Sequence, residues 1–171
     1  LDLLATAPSV IYEVLKRDGE HLFIDNPADL PDPSHIEAIY EPWMHLTVWS
    51  PDAYIGPIME LVTKRRGDFE KMEFVAEARV MMTYHIPLSE LIVEFYDQLK
   101  SRTRGYASMD YQFDNYRAGD LVRLDILIND EPVDALSLIL HRDKAHTVGS
   151  ALARKLKEVI PRQMFEVPIQ A

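Results

Sequence analysis

The side chains of this sequence that could act together as a chemical group are basic. Lys64, Arg65 and Arg66 are consecutive, Lys100, Arg102 and Arg104 alternate without an intervening acid, and residues 141–162 hold six Lys and Arg against two acids. Clusters of this kind neutralise phosphate, the contact by which proteins hold folded RNA through its shape rather than its base order. The bland alternative is ordinary solvated surface, and composition alone favours it, because Lys and Arg are exposed in most proteins. For the Lys64 triplet, at a helix C-terminus, unpaired carbonyls explain a cation by about 0.3 to 1 kcal/mol each.

Covalent and acid–base chemistry has less support. The chain has no Cys, which removes thiolate nucleophiles, redox pairs and cysteine-ligated zinc. It carries no GxxxxGK[ST] phosphate loop, GxGxxG, HExxH or GxSxG nucleophile elbow, and its carboxylates are scattered. His141 and His146 are five apart, not the i, i+4 spacing of a helical metal pair, so a surface or packing role outweighs a metal. His45 and His85 fall on strands, where a hydrogen-bonded structural role is expected. The run Arg104 Gly105 Tyr106 Ala107 Ser108 Met109 Asp110 Tyr111 superficially matches the RNA-recognition signature. It fails on placement, after the second helix, and Ser108 and Met109 replace the stacking Phe and its Val neighbour. Tyr106 and Tyr111 are therefore read as sheet packing.

The chain that positions these residues has 171 residues, 47% of them hydrophobic, with 18 Lys and Arg against 28 Asp and Glu. Disorder, collagen and disulfide scaffolds are excluded, and the length suits one ordinary domain or two small ones. Its uncharged runs fall far short of the roughly 20 apolar residues of a membrane span, and no signal peptide opens it, so a soluble, unprocessed chain is expected. Leu1 in place of an initiator Met, and an alternating run just before Ala171, suggest part of a longer protein. The net charge of −10 argues against nucleic acid, but residues 1–40 carry eight acids and two bases, whereas 41–118 carry twelve and nine and 119–171 eight and seven. Local patches can bind phosphate on such a chain.

Alternation predicts a hairpin over Ser9 to Ile24 turning at Asp18 Gly19, and Pro27, Pro31 and Pro33 make 26–35 a linker. Met44, Leu46 and Val48 share one face of a strand over 43–49. Ser50 is a candidate cap for a helix carrying Ile55, Ile58, Met59 and Val62, with Gly67 past its end. Strands at 70–76 and 79–86 precede a helix striped by Leu88, Leu91, Ile92, Phe95, Tyr96 and Leu99, and Tyr106 to Phe113 alternates as a fourth strand. Strand, helix, strand, strand, helix, strand is the split βαβ order of an α+β, ferredoxin-like βαββαβ two-layer sandwich. A partial second α/β domain follows: a hairpin of 121–128 with 133–140, a helix marked by Val148, Leu152, Leu156 and Val159 and closed by Pro161, and an edge strand at 165–170.

Glu41 Pro42, Tyr54 Ile55 Gly56, Lys64 Arg65 Arg66 Gly67, Ile86 Pro87 Leu88 Ser89 Glu90 and Leu99 to Ser108 resemble the fifth domain of elongation factor G. Asp120 to Asn129, Val133 to Ser137, His141 Arg142 Asp143 and Leu156 to Gln163 are similar to the LepA family, the elongation factor 4 translational GTPases. The resemblance implies that 1–40 is the end of domain III and a Pro-rich linker, 41–118 the elongation-factor-G-like domain V, and 119–171 the start of the LepA-specific C-terminal domain. The GTPase domain and the family's basic tail lie outside it.

That family implies a ribosome-dependent GTPase that moves tRNAs backward on stalled or mistranslocated ribosomes, cytoplasmic and peripherally associated with the inner face of the membrane. GTP and Mg belong to the GTPase domain, so this segment is expected to be noncatalytic, without cofactor or metal, and monomeric. The resemblance assigns Lys64, Arg65, Arg66, Lys100, Arg102 and Arg104 to ribosomal RNA near the GTPase-associated region of the large subunit. It assigns His141, Arg142, Lys144, Arg154, Lys155, Lys157 and Arg162 to tRNA. Two alternatives stand beside it: a small phosphatase of acylphosphatase-like fold, for which no Gly-rich loop follows the first strand, and a protein-interaction domain without an RNA role.

Overall fold

A computed structural model describes residues 10–159 and 169–171. The chain runs through strands β1 (Tyr12–Lys16), β2 (His21–Ile24) and β3 (Ile36–Pro51), helix α1 (Ile55–Lys64), strands β4 (Asp68–Ala76) and β5 (Arg79–Pro87), helices α2 (Leu88–Leu91) and α3 (Phe95–Arg102) and strand β6 (Ser108–Ala118). It continues through β7 (Leu121–Leu124), β8 (Leu127–Ile128), β9 (Glu131–Pro132), β10 (Leu138–His141), helix α4 (Arg142–Val159) and β11 (Ile169–Gln170). Residues 10, 11 and 41–117 form one compact unit, and 12–40, 118–159 and 169–171 another.

The first unit has the ferredoxin-like order β4-β5-β3-β6. The alternation of β3 sets its inner face: Met44, Leu46 and Val48 oppose Ile86, Tyr84 and Met82 in antiparallel register, and all six are buried. Ile58, Leu61 and Val62 of α1 and Phe95 and Leu99 of α3 close the core over them.

Two local expectations fail here for identifiable reasons. Ser50 does not cap α1. It is buried in β3, which stays paired through Pro51 opposite Arg79, and its hydroxyl donates to the Pro51 carbonyl. The predicted second helix is broken into α2 and α3, with Glu94 at φ +58°. The Arg65 guanidinium donates to the carbonyls of Glu90 (2.9 Å) and Val93 (2.5 Å), replacing the helical acceptors' usual partners at the break.

In the second unit β1 pairs β2 and the 36–40 stretch of β3, as the hairpin reading requires. Residues 26–35 are not a bare linker. Asn26 and Asp32 accept hydrogen bonds from the N–H groups of Ala28 and Ser34, capping two 3-10 turns, and Leu30 between them is buried. This stretch belongs to the same compact unit as 118–159. The hairpin predicted over 121–140 divides: β7 pairs β10, while β8 pairs both β9 and β11. Ile126, in the gap between β7 and β8, is fully buried. The apolar face of α4 packs Gly149 against Leu124. Pro161, Arg162 and the first residues of the predicted last strand lie outside the described residues.

Candidate nucleic-acid interface

The six cations proposed in the first unit have unlike surroundings. Arg66 is inside: its guanidinium donates two hydrogen bonds to Glu41 (2.8 and 3.0 Å) and one to Glu90 (3.1 Å), with the Arg66 side chain 19% exposed and Glu41 1%. Burial by itself lowers the pKa of that guanidinium, but the two carboxylates outweigh it and hold the pKa above the ordinary value. Arg66 takes φ +62° just past α1, and Gly67 follows because a Cβ there would meet Val62 Cγ1 at 2.3 Å. Arg65 is held by backbone carbonyls at the α2–α3 break.

Lys64 and Arg102 share one acid, Glu60, at 3.5 and 2.9 Å. The hydrogen bond from Arg102 and the charge of Lys64 hold that carboxyl below the usual range. Lys100 lies 5.5 Å over the Tyr96 ring and donates to the carbonyls of Gly105 and Ala107, so it braces the turn after α3.

Arg104 differs. It is exposed, stands at φ +52° at the tip of that turn, and has no ion pair among the described residues. Beneath it Thr103, fully buried, donates to the Leu99 carbonyl (2.8 Å) and accepts from the Ala107 N–H (3.1 Å), which fixes the turn. Tyr106 is not in the sheet, contrary to expectation. It precedes β6, is 62% exposed and stacks on Tyr54 at 6.4 Å with 20° between the ring planes. An exposed cation two residues from an exposed, stacked aromatic side chain is of the kind that holds a phosphate and a stacked base. The stack was hidden in the sequence because its partners are 52 residues apart. Tyr111, on β6, is half-exposed.

In the second unit, His141 Nδ1 accepts from the Asp143 N–H (3.2 Å) at the start of α4, and Arg142 lies against Asp120 at 3.0 Å. Lys144 is half-buried. Arg154, Lys155 and Lys157 are exposed on the last two turns of α4 without an ion pair among the described residues, at the helix end that favours cations.

His85 has the structural role expected of it, with its ring nitrogens against Asp114 (2.8 Å) and Glu70 (2.5 Å) and its ring 5.5 Å from that of His45. Among the described residues no His, Asp and Glu side chains converge as a metal site, and no helix is long and apolar enough to cross a membrane.

Residues 38–127 match the family model of the elongation factor G C-terminus, and 128–171 that of the C-terminus of the GTP-binding protein LepA. Similar curated relatives are the elongation factor 4 of Acetivibrio thermocellus, 56% identical over 99% of this chain, and that of Picosynechococcus sp., 55% identical over 100%. The elongation factor 4 of Oceanobacillus iheyensis is 52% identical over 100%. The chain spans 28% of the length of each of these relatives. A match covering more than half of the residues places the chain in the elongation factor G C-terminus family, continued from residue 128 by a LepA C-terminus.

Proposed function

We propose that this chain is the ribosome- and tRNA-contacting part of an elongation factor 4 type translational GTPase, whose whole activity moves tRNAs backward on stalled or mistranslocated ribosomes. Its own contribution is contact rather than GTP hydrolysis. The observation that carries this reading is a pair of groups of exposed cations without ion pairs among the described residues: Arg104, two residues before the stacked Tyr106, and Arg154, Lys155 and Lys157 on α4. We assign the first group to ribosomal RNA of the large subunit and the second to tRNA or adjacent RNA. Lys100 supports the first group by bracing its turn. Lys64 and Arg102, sharing Glu60, and Arg142, paired with Asp120, supply at most secondary contacts. Arg65, Arg66 and His141 serve the fold.

The test is cosedimentation of the chain with 70S ribosomes across a salt series. Four phosphate contacts give a log–log slope of about −3 to −4. Binding indifferent to salt, or none at low salt, refutes the reading.

A further inference from the structure

Residues 99–107 carry three cations and no acid, and the segment is anchored at its two ends by the fully buried Leu99 and Ala107. Between the anchors the turn is held by its own groups. The Lys100 carbonyl accepts from the Gly105 N–H (2.8 Å), the Thr103 carbonyl from the Tyr106 N–H (2.9 Å) and the Thr103 hydroxyl from the Ala107 N–H (3.1 Å). The Lys100 ammonium donates to the Gly105 and Ala107 carbonyls, so the peptide groups on either side of Tyr106 are fixed. Of residues 103–107, the side chains left in solvent are those of Arg104 and Tyr106. Arg104 stands at φ +52°, a backbone conformation that glycine or asparagine adopts more readily.

The Tyr106 ring is held as well. It stacks on Tyr54, which is half-buried just before α1 and packs against the core of the first unit. With 6.4 Å between centroids and 20° between planes the overlap is offset. The result is an anchored aromatic platform whose outer ring is largely uncovered, and a platform already in place loses little conformational entropy on binding. Its complement is a flat π face with an anion close by in the same chain. An apolar protein side chain would leave the Arg104 charge unmatched, and a base paired within an A-form helix has both faces covered by its neighbours. We infer that Tyr106 stacks on an unpaired base of ribosomal RNA, in a loop or bulge, while Arg104 neutralises a phosphate of the same strand. This rests on the ribosome reading above and narrows its RNA contact from a helix recognised by shape to an unstacked nucleotide.

The experiment measures the affinity of the full chain for 70S ribosomes across a salt series for Tyr106→Phe, Tyr106→Leu and Tyr106→Ala, and maps 2′-hydroxyl acylation of the ribosomal RNA in each complex. Stacking on one base is worth about a five- to 150-fold change in affinity. Tyr106→Ala is expected to weaken binding by that factor and Tyr106→Leu nearly as much, while Tyr106→Phe binds within about twofold of the unaltered chain. The log–log salt slope is the same in all, because a stacked ring releases no counterion. An unpaired nucleotide loses acylation when the unaltered chain or Tyr106→Phe binds, and regains it with Tyr106→Ala. Unchanged affinity of Tyr106→Ala, Tyr106→Leu binding as tightly as Tyr106→Phe, a salt slope that falls in Tyr106→Ala, or no unpaired nucleotide whose acylation follows Tyr106 overturns this inference and leaves the ribosome reading standing. Binding of the unaltered chain that is absent or indifferent to salt overturns both.

Discussion

Arg66 is the residue at which charge and role diverge most, and replacing it by Ala has a calculable result. The substitution leaves Glu41, 1% exposed, and Glu90, with 10% of its side chain exposed, without the guanidinium that donates three hydrogen bonds to them. Removing one partner of a buried ion pair costs about 3 to 5 kcal/mol. Because the Arg66 side chain keeps 19% of its surface in solvent, the lower end applies, about 3 kcal/mol. For a domain stable by about 5 to 15 kcal/mol, that is a fifth to more than half of the total. Both tryptophans of the chain, Trp43 and Trp49, lie on β3 inside the first unit, so their fluorescence reports its unfolding. With a urea dependence of about 1 to 1.5 kcal/mol per molar, the midpoint falls by about 2 to 3 M at unchanged slope. Replacing Arg66, Glu41 and Glu90 together by apolar residues of similar volume recovers most of the loss, since the carboxylates' desolvation goes with them. A shift below about 0.5 M, together with a ribosome-binding salt slope that drops by about one, would show Arg66 on phosphate and refute the reasoning.

Gly67→Ala drives a methyl to within 2.3 Å of Val62 Cγ1 and 3.0 Å of the Val62 carbonyl. A loss of about 1 to 3 kcal/mol is expected in urea melts, partly restored by adding Val62→Ala. Thr103→Val leaves the buried Ala107 N–H without its acceptor. It costs about 1 to 3 kcal/mol and, by loosening the turn that presents Arg104, weakens ribosome binding as well. Burial pushes the Tyr84 phenol well above its usual 10.0. A raised folded-state pKa means its contribution is full below pH 10 and is lost as pH rises beyond it, so Tyr84→Phe should flatten the alkaline limb of the stability profile, followed by phenolate absorbance.

Much of the fold was legible because it rests on periodicity. The alternation of Met44, Leu46 and Val48 and of Val80, Met82, Tyr84 and Ile86 marks the inner sheet face directly, and the element order then restricts the architecture to the split βαβ form. Some misses come from partners distant in sequence, others from short local caps. The helix break at Val93 and Glu94 depends on Arg65, 28 residues before Val93. Prolines at 27, 31 and 33 suggest a linker, yet two side-chain caps and one buried leucine are enough to order it.

The same distinction governs the site. A sequence displays where cations cluster, but whether each is spent on a neighbouring acid is decided by folding, as Glu41 and Glu90 do for Arg66 and Glu60 does for Arg102. Of the six cations proposed in the first unit, Arg104 alone remains exposed and without a partner among the described residues, and the Tyr54–Tyr106 stack had no local signature.

The most direct measurement is the salt dependence of 70S binding for three variants of the full chain: Arg104→Ala, Arg102→Ala, and Arg154, Lys155 and Lys157 replaced together by Ala. If the unpaired cations hold the RNA, the magnitude of the log–log slope falls by about 0.7 to 0.9 for Arg104→Ala and by about 2 to 3 for the triple variant, and stays put for Arg102→Ala. A slope that falls for Arg102→Ala and is unmoved by the other two would contradict it.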